Sequence, residues 1–302
     1  PEGVPELSRL TPHNSTSIFF LDADALRRSD FLARMLTELD SSPAEDPDYA
    51  EFQRATGFDY TRDLHRALLA LLPGEKSGAP ITFAVAEGRF DRPRISAYAA
   101  KFGRQAQVDG ITVHSVTTGK PPRTTHFVFL SESRVAITNA ANPAPLFSAA
   151  TKPAALPEEL RQRISRVGGG AVFAFSRAEK TSAGVSVFGA NIRELQEVLR
   201  HTEWVSVAAR PDGERLKVSL EADCATIEQA SEAAQSLQAF LLFGRLVISD
   251  ASVRRRVPPN LFALVEFLVR NGEVRHAERL VQVRLDVPAE VLRNALPAKS
   301  EK

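Results

Sequence analysis

Four consecutive runs decide the fold: ITFAVAEG at 81–88, GRFDRPRISAYAAKFG at 88–103, ITVHSVTT at 111–118 and THFVFLSESRVAIT at 125–138. Their hydrophobic period changes from two to helical and back again, which predicts a helix packed on an antiparallel sheet. Asp91 is placed to cap the helix, with Pro93 in the first turn, where a missing amide is tolerated. Ile95, Tyr98, Ala99 and Phe102 recur at helical spacing. Ile111, Val113 and Ser115 alternate with Thr112, His114 and Val116, the pattern of a strand with two unlike faces. Phe127 and Phe129, then Val135 and Ile137, bracket the polar turn SES at 131–133 and predict a hairpin.

Outward from this stretch, SIFFL at 17–21 reads as a strand, followed by a turn through Asp22 and Asp24 and a helix at 29–39 capped by Ser29 or Asp30. Asp59 is a plausible N-cap for a single turn ahead of an apolar strand at 67–72. Residues 151–170 bring two prolines, a charged helix and the triple glycine 168–170, which marks a boundary. Beyond it lie an apolar strand AVFAFS, a helix at 191–201, a hairpin around PDG at 211–213, a long helix from about 225, a helix at 261–269, one strand at 274–287 and a closing helix. The fold class expected is α+β, in two similar halves (1–156 and 157–302). Each is a mainly antiparallel sheet with helices packed on one face, which suggests internal duplication.

Composition narrows the function. With 38 basic and 37 acidic residues there is no general field to attract nucleic acid, so a polyanion-coating role is excluded. No run reaches the ~18 apolar residues of a membrane span. The chain opens PEGVPELSRL without a methionine. A processed N-terminus that had carried a signal peptide, lipid anchor or single span is one expectation, and a trimmed boundary is the other.

Chemistry-bearing residues are few. His114 and His126 fall on successive predicted strands and, with Asp22 or Asp24, would make a metal or general-base site if they converged. Against this stands the simpler reading of strand histidines and turn-capping aspartates, since no HxH or HxxxH spacing occurs. Arg254, Arg255 and Arg256 form a basic run suited to phosphate, an acidic glycan or a protein partner, or else a solvated loop. Cys224 is the single cysteine, so no internal disulfide can form. At a helix start its thiol would be activated, whereas the neighbouring Glu221 and Asp223 oppose that, which favours a half-buried structural cysteine. No GxSxG, SxxK or Walker motif occurs, and the triple glycine precedes a strand instead of opening a helix, so no cofactor is assigned.

The runs LSRLTPHNSTSIFFLDADALRRSDFL, TGFDYTRDLHRALLAL, EGRFDRPRISAYAAKFG and VRLDVPAEVLRNAL resemble those of uncharacterised exported proteins of GC-rich soil bacteria, which are similar in a strand near the start of the mature chain, a GFD..RDL turn and a GRFD-capped helix. The resemblance implies a periplasmic or lipid-anchored envelope location, with a cytoplasmic one as the alternative, and carries no catalytic residue across. The expected function is non-catalytic binding of a protein or small ligand in a groove between the halves. The alternative is an unfamiliar hydrolase or metal-dependent enzyme using His114, His126 and Asp22 or Asp24.

Overall fold

Strict alternation of apolar and polar side chains along strands puts every second residue on one face, so strand register decides which residues meet. The computed structural model describes residues 6–39, 47–74, 80–108, 110–119, 121–152, 155–167, 170–178, 200–250 and 259–295. The chain is α+β with antiparallel strands, and it divides into two compact units, residues 1–27 with 40–169 and residues 28–39 with 170–302.

The first unit contains β1 (Ser17–Asp22), β2 (Leu64–Leu72), β3 (Ile81–Gly88), β4 (Gly103–Val108), β5 (Ile111–Thr118), β6 (Arg123–Ser131) and β7 (Arg134–Thr138). Its spatial order is β1-β2-β3-β7-β6-β5-β4. Its helices are α1 (Ala23–Arg27), α3 (Pro47–Thr56), α4 (Tyr60–Asp63), α5 (Arg92–Phe102), α6 (Ala144–Thr151) and α7 (Glu158–Val167), while α2 (Asp30–Leu39) belongs to the second unit. The hairpin β6–β7 and the Asp91-capped α5 match the sequence reading. Strand β4 does not appear in it, because GRQAQV has no apolar alternation: it is an edge strand and largely exposed.

One face of this sheet is the core. Register aligns Phe20, Leu68, Val85, Ala136 and Val128 in one row and Ile18, Ala70 and Phe83 in the next, all of them buried. Each such large side chain contributes about 2 kcal/mol by leaving water. One row further along the same face the residues are Asp22, Arg66, Glu87 and Arg134, again directly paired across β1, β2, β3 and β7. Their charged ends meet at 3.4, 3.8 and 3.5 Å, and Arg134 reaches on to Glu6, in the 3-10 turn Glu6–Leu10, at 3.3 Å. Signs alternate along the row, so an apolar face gives way to charge without like neighbours.

Helical segments meet both faces of this sheet, not one as expected. The 3-10 turn joins the core face through Glu6, and α5 joins the opposite face, where the Arg92 guanidinium lies 4.8 Å from the centre of the Phe129 ring.

In the second unit the described strands are β8 (Val172–Arg177), β9 (Thr202–Asp212), β10 (Arg215–Cys224), β11 (Glu273–Ala277) and β12 (Leu280–Pro288), in the order β8-β9-β10-β12-β11. The PDG hairpin is β9–β10, with Gly213 at φ +57°. The single strand expected at 274–287 is a hairpin, turned at Glu278 (φ +52°) and Arg279. No glycine or proline marks that turn, so the apolar alternation on either side reads as one run. Thr226 caps the long helix α8 (Ile227–Val247), accepting from the Gln229 amide at 3.2 Å. Helices α9 (Pro259–Asn271) and α10 (Ala289–Ala295) follow. Ala230, Ala233 and Ala234 pack with Cys224 and Val281, while Ile227, an apolar residue in the first turn of the same helix, is exposed. The expected helix at 191–201 falls mostly outside the described residues.

The charged row predicts a measurable coupling. In a double-mutant cycle of Arg66→Met and Glu87→Met, urea unfolding is expected to give a coupling of about 0.5–1 kcal/mol. Additive effects would show that the pair contributes only through its separate contacts.

Candidate binding cleft

Two short segments of the first unit share a pattern, GFD at 57–59 and GRFD at 88–91, and each leads into a helix. Asp59 caps α4, its Oδ1 accepting from the Thr61 amide at 3.0 Å; Asp91 caps α5, its Oδ1 accepting from the Arg94 amide at 3.1 Å. The caps follow from local sequence, since a short acceptor side chain just ahead of a helix satisfies an amide that lacks an intrahelical partner. The tertiary fold then joins the segments. Phe58 stacks on Phe90 with ring centres 5.3 Å apart and planes at 19°. The Arg89 amide donates to the Asp63 carbonyl at 2.9 Å, and the Gly88 amide to the Ser133 carbonyl at 2.9 Å. A Cβ on Gly88 would stand 2.3 Å from the Asp63 carbonyl oxygen, so this approach of β3 to the end of α4 requires glycine.

At the centre lies Asp63, whose side chain is only 8% exposed. It accepts hydrogen bonds from Arg62 Nε (3.0 Å) and Nη2 (2.7 Å) and from the Asp59 amide (3.0 Å), and forms an ion pair with Arg89 Nη2 at 2.8 Å. Three hydrogen bonds and a second cation meet most of the acceptor capacity of a carboxylate. The Arg62 hydrogen bonds, with the Asp59 amide and the charges of Arg62 and Arg89, outweigh the upward push of burial and hold the Asp63 carboxyl at about 2. Around it opens a cleft of about 730 Å³ whose walls include Phe58, Phe90, Arg62, Arg89, Arg94 and Ser133.

The residues singled out in the sequence do not converge. His114 lies directly opposite Phe127 in the register, and His126 opposite Ser115. Adjacent residues on a strand point to opposite faces, so the two histidines occupy different sides of the sheet. His114 is buried, its ring stacked on Phe127 (4.6 Å, 5°), with the Gln105 amide nitrogen donating to its Nδ1 at 3.1 Å. His126 Nδ1 shares a hydrogen bond with Ser115 Oγ at 2.8 Å. Burial lowers both pKa values, and the charge of Arg104 adds to the effect at His126.

Strand β1 is five positions from β5 in the sheet, roughly 24 Å at about 4.8 Å per step, which keeps Asp22 away from His114. Asp22 caps α1 by accepting from the Ala25 amide at 2.8 Å. Asp24, expected to share that capping, instead pairs with Arg27 at 2.6 Å and with His65 Nδ1 at 3.0 Å. Burial pushes its carboxyl up, but the hydrogen bonds from Arg27 and His65 prevail and leave it below the ordinary value. Among the described residues no three metal-ligating side chains come together.

Cys224 is fully buried, not half-buried, and burial raises its thiol pKa. It ends β10 with its side chain in the alanine core of α8, away from any helix-start activation. Arg254, Arg255 and Arg256 lie outside the described residues.

No protein-family model and no curated protein matches the sequence. Among solved structures the chain is similar to TP0453 in its crystal form III, at 7% identity over 95% of this chain and 97% of that chain, with a TM-score of 0.52. It is also similar to crystal form IV, at 9% identity over 95% and 94%, with a TM-score of 0.50. At such identities the likeness is of fold alone. No described helix is long and apolar enough to cross a membrane.

Asp63 gives a signed pH dependence. Its folded pKa of about 2 lies below the ordinary 3.8, so its stabilisation is complete above the unfolded value and is lost as pH falls through 2. The difference in unfolding free energy between the protein and Asp63→Asn should therefore shrink by about 2 kcal/mol between pH 5 and pH 2. A constant difference would place Asp63 outside this ion cluster. In an NMR titration, His114 and His126 should both have midpoints below the ordinary 6.5. Stability linked to them is present above that value and declines as pH falls below it.

Proposed function

We propose that the protein is a non-catalytic binding protein that takes a ligand in the cleft between segments 57–63 and 88–94. The observation that carries this reading is that the two GFD-type segments, far apart in sequence, meet to enclose about 730 Å³ with their cations already held by carboxylates. Pre-set polar groups lining a concavity lower the ordering cost of binding, which is how small-molecule sites gain affinity. A groove between the halves was the expectation; a cleft within the first unit replaces it here.

Two further parts belong to the proposal. Internal duplication is supported by strand order: numbered among the described strands of each unit, both run first, second, third, last, next-to-last, the first unit then adding two more, with antiparallel neighbours throughout. An envelope location rests on the resemblance to exported proteins, in which the GFD and GRFD segments that build the cleft are two of the shared features.

The test is a thermal-shift screen of the protein with a mixed library of anionic, neutral and cationic small molecules, repeated with Ser133→Trp. Ser133 is exposed at the cleft, and its backbone contact with Gly88 survives substitution. Hits at about a hundred times their Kd should raise Tm by about 4 °C, and the tryptophan should abolish the shift without lowering the ligand-free Tm. Absence of any hit, or hits indifferent to Ser133→Trp, would overturn the reading.

A further inference from the structure

Asp63 is held by two guanidiniums, but those guanidiniums keep donors that Asp63 does not use. Arg62 gives Nε and Nη2 to Asp63, with Nη2 also 3.3 Å from the Gly57 carbonyl; Arg89 gives only Nη2, to Asp63 and the Arg62 carbonyl. Among the described residues, Nη1 of Arg62 and both Nε and Nη1 of Arg89 have no acceptor. The two side chains are each 62% exposed, so these edges are presented to solvent. Arg94 adds a third guanidinium. Its Nε contacts Asp91 at 3.3 Å, and its Nη1 extends over Gly57, 3.4 Å from where a Cβ would stand.

Net charge does not draw the anion in: Arg62, Arg89 and Arg94 face three carboxylates, Asp63, Asp91 and Glu132, so the lining is balanced and the outward guanidinium edges carry the recognition. The start of α5 adds nothing, because Asp91 already takes the Arg94 amide. A carboxylate that pins guanidiniums in place while leaving donors outward pre-organises them for a planar or tetrahedral oxyanion, and it reduces the side-chain entropy lost on binding. The Phe58–Phe90 stack gives the same cleft an aromatic wall.

We propose that the cleft binds the oxyanion head, carboxylate or phosphate, of a small molecule whose flat apolar body lies against Phe58 and Phe90. This rests on the binding reading above. The two head groups share the chemistry that guanidinium edges recognise, and the probes tell them apart.

Calorimetric titration of the protein with benzoate, phenyl phosphate and benzamide provides the test. At least one of the two anions should bind and neutral benzamide should not. The tighter anion assigns the head group. Arg89→Lys, which keeps the charge but loses the fork, and Arg94→Gln should each weaken binding about tenfold, the equivalent of one charge-assisted hydrogen bond. Arg62 still holds Asp63 in both variants, so Tm should be little changed. Arg215→Gln, which removes a guanidinium from the second unit, should leave binding unaltered. Benzamide binding as tightly as benzoate, an equal loss in all three variants, or no loss in Arg89→Lys and Arg94→Gln would overturn the proposal. If neither anion binds while neutral library hits remain sensitive to Ser133→Trp, the oxyanion assignment fails and the cleft stands. If nothing enters the cleft, both fall.

Discussion

A single carboxylate, that of Asp63, ties together the part of the first unit with most chemical content. Withdrawn from water, it needs donors in every direction, and they come from its own helical turn, from Arg62 beside it and from Arg89 at the end of a neighbouring strand. A buried charge with fewer partners would cost several kcal/mol. That requirement fixes how β3 leaves the sheet, why Gly88 has no side chain and where Phe90 meets Phe58. The cleft is the space left beside this knot, and its cations are positioned because the carboxylate holds them.

The sheet supplies the frame by a related rule. Rows of buried side chains run across β1, β2, β3 and β7, and the row after the last fully apolar one carries Asp22, Arg66, Glu87 and Arg134. Alternating sign lets each charge face an opposite one, where like charges directly across strands would destabilise the pairing. The end of the core is thus also the end nearest the Asp63 knot, since Glu87 and Gly88 are consecutive. Packing and the cleft share one strand terminus.

Much of this was legible residue by residue. The caps at Asp59 and Asp91, the hairpins at 131–133 and 211–213 and the α+β class follow from periods and turn chemistry spanning a few residues. Strand β4 was not legible, because an exposed edge carries no apolar signal, and neither was the turn at Glu278, which lacks glycine. The motifs GFD and GRFD were visible as separate helix starts. That they form one site was not, because nothing in either announces the other.

The sequence by itself determined most of the strands and helices, where several helices begin and which residues are apolar enough to form a core, since these depend on neighbours within about one helical turn. Tertiary structure alone decided which faces met. A register offset of one residue put His114 and His126 on opposite sides of the sheet and dissolved the site they suggested. The same long-range pairing delivered Arg89 to Asp63, because strand pairing sets distances between residues that the local chain leaves unconstrained.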